Sequence, residues 1–122
     1  MKDIKLIIAG TRNCHLFKID VNILNKIKDK YQISEVVSGH ARGIDTLGER
    51  WAKKNNIKVT TFIPNWQDFG KAAGPIRNKE MASYGDVLIA FWDNESKGTK
   101  NMIDIMRRLQ KEVIVIILQK EK

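Results

Sequence analysis

Five short apolar runs, most of them unbroken and separated by stretches of helical periodicity, constrain this chain more than any other feature. They are Ile4 to Ala9, Glu35 to Ser38, Lys58 to Ile63, Asp86 to Trp92 and Glu112 to Leu118. A strand with one wet face alternates apolar and polar residues, whereas a continuous run suits a parallel sheet covered on both sides. Asp20 can cap a helix carrying Ile23, Leu24, Ile27 and Tyr31 on one face, and Ile44, Leu47, Gly48, Trp51 and Ala52 form a second core-directed stripe. Pro75 fits the first turn of a helix running to about Tyr84, with Gly85 as its stop, and Met102, Ile103, Met106 and Leu109 mark a last helix. Alternating strands and helices predict right-handed crossovers: an α/β, Rossmann-like three-layer fold with an open, mostly parallel five-stranded sheet and helices on both faces.

At 122 residues the chain is sized for one domain, residues 1–122, and no linker or repeat interrupts it. With 43% hydrophobic and 30% charged residues it is far from the disordered regime. The longest apolar run, Val113 to Leu118, falls well short of the roughly 20 residues of a membrane span, and no targeting segment is evident, so the expected location is cytoplasmic with no membrane partner. A lone cysteine, Cys14, excludes an internal disulfide framework and a multi-cysteine zinc site. The net charge of +8 favours anionic partners without saying which, and the lysines scatter over helix faces as solvated charges do. The Gln119–Lys122 tail is polar and expected to fray.

Ligands of open α/β sheets bind outside the carboxyl ends of the strands, so the strand-end loops carry the functional argument. The first gives Gly10-Thr11-Arg12: a turn, a hydroxyl and a guanidinium fork for phosphate, or simply a turn with a solvent arginine. The second gives Ser38-Gly39-His40-Ala41-Arg42-Gly43-Ile44-Asp45, where a helix starting near Gly43 offers free amides to an anion. Asp45 can equally be a first-turn carboxylate, and His40 has no second ligand at metal spacing. The long third loop, Pro64 to Asn78, holds Trp66 and Phe69, either to stack on a base or to pin the loop, and places Arg77 and Asn78 in the first turn of the following helix. The fourth, Trp92 to Thr99, opens the last helix at Gly98-Thr99 after Asp93, Glu95 and Ser96. The agreement among four consecutive loops is the signal. A dinucleotide G-x-G-x-x-G, a Walker A lysine and a nucleophilic triad are missing, so no cofactor or metal is implied.

In these loops and in Trp51-Ala52, in Gly70 to Met81 with its Gly-Pro-x-Arg-Asn string, and in Ser96-x-Gly98-Thr99, the chain resembles the YspA-like, cpYpsA-related branch of the SLOG superfamily over nearly its whole length. The resemblance implies a compact Rossmann-like sheet. Superfamily members include nucleotide-sugar sensors of bacterial conflict systems, ADP-ribose-binding modules, the DNA-processing protein family and LOG phosphoribohydrolases; the branch is common in bacteria and their phages. Two positions depart from pattern. His40 replaces the second glycine of the usual Gly-Gly-Ala-Arg-Gly, and Met102 stands where the LOG Gly-Thr-x-x-Glu motif has its glutamate.

Together these imply a binding module, sensor or sequestering, for a phosphate-bearing nucleotide or nucleotide-sugar derivative of ADP-ribose type. Gly39, Arg42, Gly43, Ser96, Gly98 and Thr99 would hold phosphates, Arg12 and Arg77 neutralise charge, Trp66 or Trp92 meet the base, and Asp45 and Asn78 order the loops or bond ribose; Gly10, Thr11, Ser38 and His40 complete the set. An enzymatic alternative is N-glycoside or nucleotide hydrolysis with Arg77 on the phosphate and Asp45, Asp93 or Glu95 in place of the missing glutamate. A third is single-stranded nucleic-acid binding, which would weaken steeply with salt. Homo-oligomerisation stays open.

Overall fold

A computed structural model describes residues 3–119. The chain runs β1 (Asp3–Gly10), α1 (Asn22–Lys30), β2 (Gln32–Ser38), α2 (Ile44–Lys54), β3 (Lys58–Thr61), a single turn α3 (Trp66–Phe69), α4 (Ala73–Tyr84), β4 (Val87–Trp92), α5 (Lys97–Arg108) and β5 (Glu112–Ile117), with 3-10 turns at Cys14–Leu16 and Gly70–Ala72. The sheet order is β3-β2-β1-β4-β5 and every pairing is parallel, so the expected mostly parallel sheet is wholly so. The chain winds outward from β1 through β2 to β3, returns to β4 and continues to β5. The order reverses between β1 and β4, which pair from Leu6–Val87 to Gly10–Phe91. A crevice opens at such a switch point.

Strand side chains alternate between two covered faces. Leu6 and Ile8 of β1 with Val87, Ile89 and Phe91 of β4 pack against Leu24 and Ile27 of α1 and Ile44, Trp51 and Ala52 of α2. Ile7 and Ala9 with Leu88 and Ala90 meet Met81 and Ala82 of α4 and Met102, Ile103 and Met106 of α5. The sheet residues Leu6, Ile7, Ile8, Leu88, Ile89 and Phe91 are wholly buried, each burial worth roughly 1.5–3 kcal/mol. Two glycines set how closely helices lie on the sheet. A Cβ on Gly48 would come within 2.7 Å of the Ile8 side chain, and one on Gly85 within 2.5 Å of Ile7. Gly85 thus ends α4, its N–H donating to Met81 O, while keeping an ordinary φ of -83°; it is required for clearance rather than for a left-handed turn.

Several expectations shift. Asp20 accepts the Asn22 amide as a capping side chain does, yet the helix is assigned only from Asn22, and Tyr31 lies just beyond its end, bonded to Glu112. Leu109 leaves the α5 stripe and is 47% exposed. The third loop is partly helical: Asn65 accepts the Asp68 amide to cap α3, so α4 begins at Ala73 and Arg77 falls in its second turn. Of the Gln119–Lys122 tail expected to fray, Gln119 O accepts the Lys18 amide at 3.3 Å, and Lys120–Lys122 lie outside the described residues. No helix among the described residues is long and apolar enough to cross a membrane. The α4 carboxyl end is closed by Lys111, whose Nζ donates to the carbonyls of Ala82 (2.7 Å), Ser83 (3.2 Å) and Gly85 (2.8 Å), as a cation at a helix C-terminus should.

Candidate functional site

The four strand-end loops converge on two adjoining cavities. The inner one, about 70 Å³, lies at the switch point and is lined by Gly10, Arg12, Asp45, Arg77, Asn78, Ser96, Gly98 and Thr99 over a floor that includes Met81 and Met102. The outer one, about 500 Å³, is lined by Arg12, Gly39, His40, Ala41, Arg42, Ile63, Pro64, Trp66 and Arg77. Arg12, Ala41 and Arg77 belong to both and form the waist between them.

Arg77 is the best-anchored cation of the crevice. Its Nη1 donates to Gly39 O at 2.7 Å and its Nε to Asn78 Oδ1 at 3.0 Å, while Nη2 makes no hydrogen bond to the described residues. Asn78, 5% exposed, is held in turn through Nδ2 by Asn101 Oδ1 at 2.9 Å and Gly98 O at 3.3 Å. Burial lowers the guanidinium from its ordinary value, Asp45 opposes that, and Arg12 adds to it. Asp45 accepts the Ala41 amide and is 6% exposed; burial raises its carboxyl from 3.8 to about 6, against the pull of the Ala41 amide, Arg77 and Arg12, with Glu49 adding to the rise.

Glycines allow these groups to meet. A Cβ on Gly39 would stand 2.5 Å from Arg77 Nη1 and 3.0 Å from Asp45 Oδ2. Gly43, at φ +86° just before α2, rests against the carbonyls of Thr11 and Arg12, where a side chain would lie at 2.6 and 2.5 Å and the backbone conformation would be strained. Gly98 differs, with nothing within 4 Å of where its Cβ would be.

Several predicted contacts are turned to the framework instead. Thr11, 2% exposed, accepts the Asp93 amide through Oγ1 and donates its own N–H to Phe91 O, tying the ends of β1 and β4 together. Trp92 donates Nε1 to Ser96 O and packs on the α4–α5 side, lining neither cavity. Asp93 forms the turn into α5. Burial alone would raise it, but the amides of Ser96 and Glu95 and the Thr11 hydroxyl outweigh burial and hold it below the usual carboxylate range. Glu95 is exposed and lines neither cavity. Of the four carboxylate and arginine candidates for chemistry, only Arg77 and Asp45 face the crevice. Ser96 caps α5, accepting the Thr99 amide at 3.4 Å and sharing a 3.0 Å contact with the Thr99 hydroxyl. Trp66 and Phe69 are each 51% exposed, so neither is buried as a pin for the loop; Trp66 borders the outer cavity and Phe69 does not.

One residue escaped the sequence reading. Glu49 of α2, 8% exposed, accepts the Ser38 hydroxyl at 2.7 Å and faces His40 Nδ1 at 2.9 Å; the His40 amide donates to Ser38 Oγ at 3.0 Å. The available signal was its position four residues after Asp45, which puts both carboxylates on one side of α2 beside the Ile44–Gly48 stripe. No group of three or more His, Cys, Asp or Glu suited to a metal occurs among the described residues.

The fold and crevice define the class: a doubly wound α/β domain whose arginine-lined cleft sits where the strand order reverses. The chain belongs to the YspA, cpYpsA-related SLOG family, whose model matches residues 4–69. It is 33% identical over 123 residues to the Gene 61 protein of Mycobacterium phage D29, an alignment covering 93% of this chain and 94% of that protein. No solved structure matches it.

Proposed function

We propose that the protein binds a phosphate-bearing nucleotide or nucleotide-sugar derivative, of ADP-ribose type, as a sensor or sequestering module. The observation that carries this reading is the waist: two arginines shared by a small cavity and a larger one bordered by an exposed tryptophan. A diphosphate has the charge and length to lie along such a waist, with guanidinium forks matching its oxygens. The inner cavity adds the amino end of α5, where the dipole and the uncommitted first-turn amides favour an anion. Trp66 then offers a face to a base or sugar in the outer cavity, whose volume is in the range of small-molecule sites. Membership of a SLOG family agrees with a nucleotide-related role.

Calorimetric titration of the full chain with ADP-ribose, AMP and inorganic phosphate tests it. Saturable binding of ADP-ribose, stronger than phosphate and weakened by Arg77→Ala, is the expected result. Equal and weak responses to all three, or a steep salt dependence with single-stranded DNA bound more tightly, would remove it.

A further inference from the structure

The outer cavity contains a group that pure anion binding does not use. His40 sits at φ +58° with its backbone N–H donating to Ser38 Oγ, and its Nδ1 faces the Glu49 carboxylate at 2.9 Å. A carboxylate only accepts, so Nδ1 carries the hydrogen and the nitrogen left free on the neutral ring, Nε2, is an acceptor. The ring is 57% exposed and forms part of a wall shared with Arg12, Arg42 and Arg77. An acceptor nitrogen has nothing to give a phosphate oxygen. Backed by a largely buried carboxylate, it is well placed to take a proton. Ser38 is no nucleophile in this arrangement, because its hydroxyl is committed to Glu49 rather than to the imidazole.

Resting on the nucleotide reading above, we propose that the outer cavity hydrolyses the diphosphate linkage of its ligand, with His40 as general base and Glu49 as its positioning residue. The oxygen of a water bonds to one phosphorus while Nε2 takes a proton from it. The bond from that phosphorus to the bridging oxygen breaks, its electron pair leaving with the second phosphate. Two phosphate monoesters result, and the imidazolium returns its proton to solvent. Arg12, Arg42 and Arg77 offset the charge that builds on the phosphoryl oxygens. The charged groups around His40 are therefore Glu49 beneath it, Asp45 one turn earlier on α2, and these three arginines.

Incubating the full chain with ADP-ribose in oxygen-18 water, and separating products by anion exchange, provides the test. AMP and ribose 5-phosphate should appear, with the label in one of the two. His40→Gln should lower kcat about 100-fold or more with little change in KM, and Glu49→Gln should lower kcat less, again with little change in KM. His40→Gly, which suits the positive φ, is the second variant should glutamine disturb the loop. Calorimetric binding of ADP-ribose without products overturns the hydrolysis and leaves the binding reading intact, and products formed by both His40 variants at the rate of the unsubstituted chain overturn His40 as the base. Neither binding nor products overturns both.

Discussion

The two cavities share Arg12, Ala41 and Arg77 and differ in nearly everything else. The inner one is walled by residues that bond one another: Asn78 to Asn101 and Gly98, Ser96 to Thr99, Asp45 to Ala41. Among the described residues no buried side-chain nitrogen or oxygen lacks a partner. The outer cavity is bordered instead by exposed Ile63 and Trp66 and by a loop tied through Ser38, His40 and Glu49. A pre-bonded pocket fixes geometry before a ligand arrives, whereas an open border with exposed side chains accommodates variation. The contrast suggests a division of work, with phosphate position set inside and ligand identity read outside.

The largest test is at the waist. Arg77→Ala should weaken ADP-ribose binding about 100-fold, since charge-assisted hydrogen bonds contribute roughly 1.5–3 kcal/mol and Gly39 O and Asn78 Oδ1 also lose their donor. Calorimetry reads the affinity, and denaturant unfolding should show a loss of about 1–3 kcal/mol from the unpaired acceptors Gly39 O and Asn78 Oδ1. A variant that binds normally would mean the two cavities do not share a ligand. Trp66→Ala separates the cavities: a base stacked there contributes about 1–3 kcal/mol, so ADP-ribose should weaken by roughly ten-fold or more while inorganic phosphate, confined to the inner cavity, is unaffected.

Asp45 gives a pH test. Its carboxyl rises on folding from 3.8 to about 6, so the folded chain holds the proton more tightly than the unfolded one. The resulting stabilisation is complete below about pH 4 and is lost as pH rises through about 6. A shift of that size corresponds to up to about 3 kcal/mol. Asp45→Asn should flatten this part of the stability profile and, by removing a negative charge beside Arg77, tighten anion binding several-fold at pH 7.5. Urea melts at intervals from pH 4 to 8 would show it. The smallest effect belongs to Gly98→Ala, which meets no atom within 4 Å and should raise stability by up to about 1 kcal/mol as a helix substitution. If the same variant binds phosphate less well, the anion approaches the amino end of α5 closely; unchanged binding would place it elsewhere.

Much of the architecture was legible because the strands are buried on both faces, and continuous runs such as Leu6-Ile7-Ile8-Ala9 declare that directly. The convergence of Gly10–Arg12, Gly39–Asp45, Arg77–Asn78 and Ser96–Thr99 was legible for a topological reason, since parallel strands deliver all their carboxyl ends to one edge. Side-chain direction was not. Nothing local distinguishes the hydroxyl of Thr11, spent on Asp93, from one facing a crevice, and Trp92 looks as available as Trp66 until its ring is seen bonded to Ser96 O. Glu49 was obscured by its setting: a glutamate among helix charges reads as solvated, and only the turn of the preceding loop brings Ser38 and His40 over it. α3 was missed because a single turn held by one Asn65 cap has too few residues to show a period.

Gly43 has a mechanical side. Its contact with the Thr11 and Arg12 carbonyls, reinforced by the Ile44 amide donating to Thr11 O at 3.3 Å, seats the start of α2 directly on the loop that carries Arg12. At the far end of that helix Trp51 Nε1 donates to Asn25 Oδ1 of α1 at 2.9 Å. One helix thus joins the Arg12 loop at its start to α1 near its end, so the position of that loop and the packing of α1 are fixed by the same element.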